Sequence, residues 1–92
     1  MTICIQIGNT DNKLTQQEWA DFVRQIDAIL DAYETARHFF GGSPTYARWQ
    51  NVCWVCEIAS GQFDDLIQDI RIHREFYRQD SVCVLAGDAE FV

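Results

Sequence analysis

The sequence has few cations, a single proline and no long apolar segment. A membrane-spanning helix needs about 20 consecutive apolar residues, so the sequence predicts no such helix. Seven Lys and Arg residues stand against fourteen Asp and Glu residues, which gives a net charge of −7. Because nucleic acids and anionic membranes are polyanions, this charge opposes direct binding to free nucleic acid or to a membrane.

The first residues also lack the cationic stretch and longer apolar block of a secretory signal, so we expect a cytoplasmic protein. The four cysteines are then expected to be free thiols, since cytoplasmic reductants keep thiols reduced. Aromatic residues make up 13% of the chain, which is enough to build a core without disulfides. A chain of 92 residues has room for one core, so the sequence predicts one compact domain over residues 1–92.

Hydrophobic periodicity predicts four strands and two helices. The strongest local signal is a capping box formed by Thr15 and Glu18, with Leu14 and Trp19 as a hydrophobic staple, at the start of the first helix. The predicted elements are a strand over residues 2–7, a helix over 16–34, strands over 37–40 and 50–59, a helix over 63–78 and a strand over 81–85. Their order, β-α-β-β-α-β, predicts a ferredoxin-like α+β fold, with a four-stranded antiparallel sheet and two helices on one face. The same elements with another strand order are the alternative.

Cys53 and Cys56 have the CxxC spacing of redox and zinc sites. Within a strand, however, residues three apart point to opposite faces, so we expect these two thiols to diverge. Cys4 and Cys83 lie in other strands and provide no second CxxC for a four-thiolate zinc site. Neither histidine has the neighbours of a catalytic triad. We therefore expect no metal, no cofactor and no catalytic residue, and the sequence favours a binding protein over an enzyme.

Acidic residues in the first helix form one candidate surface for a partner. Asp27, Asp31 and Glu34 lie in its C-terminal half, where the helix macrodipole disfavours negative charge by about 0.3–1 kcal/mol per group. A requirement for solubility explains these acids equally well.

The second helix carries the other candidate surface. Asp65, Asp69, Ile72 and Phe76 follow one another at helical spacing, on a side of the helix away from its core-facing residues. We expect Ile72 and Phe76 to be partly exposed beside the two carboxylates, an arrangement typical of a protein interface. A bend in the helix or a homodimer contact is the alternative explanation.

The uncovered face of the sheet is a third candidate surface for a partner. It combines polar and small apolar groups, which could also form an interface. Its predicted members are Cys4, Gln6, Cys53, Val55, Glu57 and Cys83.

Three segments carry a resemblance to known proteins: residues 5–19 (IQIGNTDNKLTQQEW), 49–54 (WQNVCW) and 77–82 (YRQDSV). They resemble small proteins encoded by phages and prophages, a group that includes anti-CRISPR proteins, those of the type I-F kind in particular. The resemblance implies a stand-alone inhibitor, made in the cytoplasm of an infected bacterium, that disables a defence complex by binding it. It implies no catalytic residues.

The acidity of the chain agrees with this resemblance. RNA-guided surveillance complexes hold nucleic acid in positively charged channels, to which a small acidic domain would be steered. The expected partner is therefore a multisubunit CRISPR surveillance complex, whose target DNA binding would be blocked. Arg71, Arg74 and Arg78, which the sequence places on one flank of the second helix, are the candidates for a contact with the guide RNA.

Two other classes of function fit the same sequence. One is a small-molecule-binding or regulatory ferredoxin-like domain, typically a homodimer. The other is an acidic immunity or antitoxin protein. The sequence leaves open whether the chain is a monomer or a homodimer.

Overall fold

A computed structural model describes residues 1–9, 11–44, 47 and 49–92. The regular elements are β1 (Thr2–Gly8), α1 (Gln16–Tyr33), β2 (Glu34–Gly42), β3 (Asn51–Ile58), α2 (Phe63–Phe76), which a short 3-10 turn precedes, and β4 (Cys83–Gly87). The strands form one sheet in the order β2-β3-β1-β4, and every neighbouring pair is antiparallel. This confirms the predicted α+β fold, and the strand order is that of a ferredoxin-like sheet.

Both helices pack on one face of the sheet and enclose a single core. Alternate residues of β1 and β3 point into this core, and each helix contributes one apolar side. Burying each large apolar side chain stabilises the fold by roughly 1.5–3 kcal/mol. The largest contributors are Ile3, Ile5, Leu14, Phe22, Ile26, Leu30, Trp54 and Leu66.

The first helix begins where the capping box predicts. The Thr15 hydroxyl accepts a hydrogen bond from the Glu18 amide at 3.1 Å, and the Glu18 carboxylate accepts one from the Thr15 amide at 3.0 Å. The helix passes into β2 without a loop, because Glu34 already has extended backbone angles while its amide still caps the Leu30 carbonyl. The second strand therefore starts three residues earlier than the predicted start at Arg37.

A buried asparagine fixes the loop between β1 and α1. The Asn9 side chain accepts a hydrogen bond from the Leu14 amide and donates one to the Leu14 carbonyl, each at 3.1 Å. It also donates to the side chain of Gln50 in the segment before β3. Asn9 thus satisfies both backbone groups of the residue that directly precedes the N-cap of α1.

The second helix ends earlier than predicted. It stops at Phe76 instead of Arg78, because Arg78 has a φ of 57°, in the left-handed region. Such a helix end usually carries glycine, and the sequence has none there. The Gln79 amide closes the end by donating a hydrogen bond to the Arg74 carbonyl at 3.0 Å.

Candidate functional site

The three acids of the first candidate surface surround a single cation. Arg37 of β2 points toward the helix layer and donates hydrogen bonds to Asp27 at 2.6 Å, Glu34 at 3.0 Å and Asp31 at 3.1 Å. Asp27 also accepts a hydrogen bond from the indole of buried Trp54 at 2.9 Å. The cluster is therefore a structural link from α1 to the sheet, which gives these acids a role inside the fold despite the helix macrodipole.

The exposure of these acids differs widely. The Glu34 side chain is 14% exposed, whereas that of Asp31 is 66% exposed and makes the longest of the contacts to Arg37. Asp31 is thus the member of the set that a partner could reach most readily, while Asp27 and Glu34 are largely occupied by intramolecular contacts.

The second candidate surface lies along α2 and is called here the outer stripe: Asp65, Asp69, Ile72 and Phe76. Ile72 is 52% exposed and Phe76 is 74% exposed, as the sequence predicts. The ring of Phe76 packs edge-on against Tyr77, with the ring centroids 5.0 Å apart. The outer stripe therefore offers two adjacent apolar side chains to solvent, and one of them is already oriented by an aromatic neighbour.

The acidic half of the outer stripe borders α1. Asp69 accepts a hydrogen bond of 2.6 Å from the Tyr33 hydroxyl, which raises the pKa of Tyr33 to about 12. In the part of the chain that the structure describes, no ion pair involves Asp64, Asp65 or Asp69. These carboxylates remain without a cationic partner among the described residues, unlike the acids around Arg37.

The three predicted RNA-contacting arginines do not share one flank of α2. Arg71 and Arg74 line a groove of about 230 Å³ between α2 and β4. Arg74 is held there by hydrogen bonds to the backbone carbonyls of Gln79 and Asp80. Arg78 lies beyond the helix end and forms an ion pair of 2.8 Å with a carboxylate of α1. The predicted grouping is wrong for Arg78, because the left-handed turn directs the chain away from the helix axis.

The third candidate surface is the open face, the side of the sheet that the helices leave uncovered. The strand registers place all its predicted members there and add residues from both edge strands. A bulge in β2 lets His38 approach within 3.3 Å of the Glu57 carboxylate. Hydrogen bonds from Thr2 and His38 hold the pKa of Glu57 below its usual value. The members of the open face are Thr2, Cys4, Gln6, His38, Phe39, Cys53, Val55, Glu57, Cys83 and Leu85.

The cysteines divide between the two faces of the sheet. Cys56 is fully buried, and this burial raises the pKa of its thiol to about 12, whereas Cys53 lies on the open face. The predicted divergence of the CxxC pair is confirmed. Sequence reasoning missed a different pair, Cys4 and Cys53, whose Sγ atoms are 3.4 Å apart. The detectable signal was that both residues were assigned to one face of a sheet whose strand order makes β1 and β3 neighbours.

Among the described residues, no group of three or more His, Cys, Asp or Glu side chains is arranged to hold a metal ion. None of the described helices is long and apolar enough to cross a membrane. Comparison with known proteins adds no relative, because no family model matches the chain and no curated protein matches it.

Proposed function

We propose that this chain is a non-enzymatic, anti-CRISPR inhibitor that binds a bacterial RNA-guided surveillance complex in the host cytoplasm and blocks its binding of target DNA. The observation that carries the proposal is the outer stripe of α2. There, Ile72 and Phe76 are exposed in line with two carboxylates that have no cationic partner among the described residues. This combination suits a basic protein surface that also has an apolar pocket.

The two halves of the outer stripe would act on different steps of binding. Phe76 is a large, rigid side chain that loses little conformational freedom when it enters a pocket, and aromatic anchors of this kind carry most of the energy of many interfaces. Asp65 stands at the exposed rim, where a charge mainly speeds association. Phe76 would therefore mainly determine the dissociation rate, and Asp65 would mainly determine the association rate.

The net charge of −7 supports the choice of partner. A channel that holds guide RNA and target DNA is lined with cations, and it attracts an acidic domain over about one Debye length. Asp31 extends the acidic surface on the other side of α1, while Asp27 and Glu34 belong mainly to the Arg37 cluster. Of the proposed RNA-contacting residues, Arg71 is the most available. Its hydrogen bond, of 3.3 Å, goes to the exposed side chain of Gln68. Arg74 instead bonds backbone carbonyls, and Arg78 forms an ion pair with α1.

The test is surface plasmon resonance against a purified type I-F surveillance complex, together with infection of CRISPR-immune cells by phage. Phe76→Ala is expected to raise the dissociation rate by roughly 5- to 150-fold, which corresponds to about 1–3 kcal/mol at a hot spot. Its matched control is Phe39→Ala, which removes an equally large exposed ring from the open face. That control should keep wild-type kinetics.

Charge is tested separately. Asp65→Lys should lower the association rate and weaken its dependence on salt, whereas Asp88→Lys, which makes the same change beyond β4, should have a smaller effect. Circular dichroism verifies the fold of each variant. The function is refuted if the wild-type protein neither binds the complex nor restores infection. The assignment of the interface is refuted if the wild type binds and both stripe variants behave like it.

A further inference from the structure

Cys4 and Cys53 lie side by side on the open face. Their Sγ atoms are 3.4 Å apart, within the distance of a thiol–thiol hydrogen bond. They belong to the adjacent strands β1 and β3 in a diagonal register, because Cys4 is opposite Val55 and Cys53 is opposite Gln6. Both side chains are half-buried, so a small reagent can reach them. We infer that Cys4 and Cys53 form a dithiol site that a small-molecule disulfide converts into a cross-strand disulfide.

The reaction is thiol–disulfide exchange with an oxidant such as oxidised glutathione. The thiolate of one cysteine attacks a sulfur of the oxidant, which forms a mixed disulfide and releases one glutathione thiolate. The thiolate of the other cysteine then attacks the protein sulfur of this mixed disulfide. The Cys4–Cys53 bond forms, and the second glutathione leaves. The protein gives up two electrons and two protons, and the oxidant becomes two molecules of reduced glutathione.

The geometry favours this pair over the other cysteines. Closing the bond brings the sulfurs from 3.4 Å to about 2.05 Å, between two strands that are already hydrogen-bonded to each other. Cys56 is buried on the opposite face of the sheet. Cys83 lies on β4, with the whole of β1 between it and Cys53, and both of these cysteines are opposite Gln6. Among the described cysteines, Cys4 is therefore the one whose sulfur lies in contact with the sulfur of Cys53.

The site should respond to pH and should be reversible. The pKa of Cys53 is raised to about 11, mainly by burial and to a lesser extent by the contact with Cys4. The fraction of reactive thiolate therefore grows as the pH rises toward that value. A disulfide between these half-buried sulfurs stays within reach of a small thiol, whose thiolate can attack it and reopen the bond. The expected behaviour is slow closure at neutral pH, faster closure in mild alkali and reopening by reduced glutathione.

The experiment treats the full chain, at low micromolar concentration and without denaturant, with oxidised glutathione, and then alkylates the remaining thiols. Mass spectrometry should find a monomer with two fewer alkylated cysteines than the reduced protein. After digestion with trypsin, the disulfide should join the peptide of residues 1–13 to that of residues 49–71. Because Cys53 and Cys56 share that second tryptic peptide, fragmentation of the linked peptides identifies the partner. A link to Cys56 or Cys83, or stable glutathione adducts without a link, would overturn the inference.

Three variants complete the test. Cys4→Ser and Cys53→Ser should each abolish the link and leave a glutathione adduct on the remaining cysteine of the pair. Cys83→Ser, a control on the same face, should form the link at the wild-type rate. In urea the preference for this pair should disappear, because it depends on the folded register. A Cys83→Ser protein that fails to form the link, or a preference that persists in urea, would show that the sheet geometry does not select the pair.

Discussion

Arg37 and Asp27 join the edge of the sheet to the first helix through a hydrogen-bonded ion pair of 2.6 Å. Asp27 simultaneously accepts the indole hydrogen of Trp54, a fully buried side chain at the centre of the core. One carboxylate therefore satisfies two donors from two different strands. Its removal would leave a buried indole and a half-buried guanidinium without their shared acceptor.

Asp27→Ala should for this reason lower the free energy of unfolding by about 1–3 kcal/mol, the usual cost of leaving buried donors unsatisfied. Asp31→Ala is the matched control. It removes an exposed partner of the same arginine and should cost less than about 1 kcal/mol. Urea denaturation followed by tryptophan fluorescence measures both variants. Equal effects at the two positions would contradict the role assigned to the indole contact.

Thr15→Ala should destabilise the protein by about 0.5–2 kcal/mol, because it removes the acceptor for the Glu18 amide at the start of α1. Thr15→Ser keeps a hydroxyl at this position and should retain most of the stability. Thermal denaturation followed by circular dichroism provides the comparison. If alanine and serine at this position gave the same midpoint, the capping box would not contribute to stability.

Asn9→Ala should cost about 1–3 kcal/mol, because the two backbone groups of Leu14 would lose their partners at a buried position. Gln16→Ala is a suitable control. It breaks a hydrogen-bonded amide pair with Gln50 that is exposed to water, so its effect should be smaller. Amide hydrogen exchange should also become faster at Leu14 in the Asn9 variant, while exchange in β3 changes little. Unchanged protection at Leu14 would argue against the two hydrogen bonds between the Asn9 side chain and the Leu14 backbone.

Tyr33 offers a test by pH. Its pKa is raised from about 10 to about 12 by the hydrogen bond to Asp69, so the folded protein binds the phenolic proton more tightly than the unfolded chain does. The stability from this contact is fully present below pH 10 and is lost as the pH rises toward 12. Ultraviolet titration of the folded protein should show one tyrosine ionising near pH 12, and Tyr33→Phe should remove that step. A titration unaltered by the substitution would assign the step to another tyrosine.

Sequence patterns predicted the fold well where the residues that carry the signal lie next to the structural feature that they predict. The capping box located the start of α1, and the alternation of isoleucines identified β1, because both signals lie within a few residues of the feature that they predict. The exposure of Ile72 and Phe76 also followed from helical spacing alone.

The contacts that sequence reasoning missed depend on the register between distant segments. Arg37 lies three residues beyond Glu34 in sequence, yet its meeting with Asp27 depends on where α1 gives way to β2. Cys4 and Cys53 are close because they are diagonal neighbours in the register between β1 and β3. The hydrophobic periodicity within either strand does not reveal this register. The early end of α2 depends on a left-handed turn at an arginine, where the usual glycine signal is missing.

Because α1 passes directly into β2, the end of the helix determines which side chains of β2 face the helix layer and which face the open side of the sheet. No spacer residue separates Tyr33 from Glu34 to absorb an insertion. One added residue at this joint would reverse the alternation of β2 and exchange the orientations of Arg37 and His38, unless one of the β2 bulges took it up. The cation would then emerge on the open face, and the acids of α1 would lose their counter-ion. This junction is therefore a poor site for a tag or a loop graft.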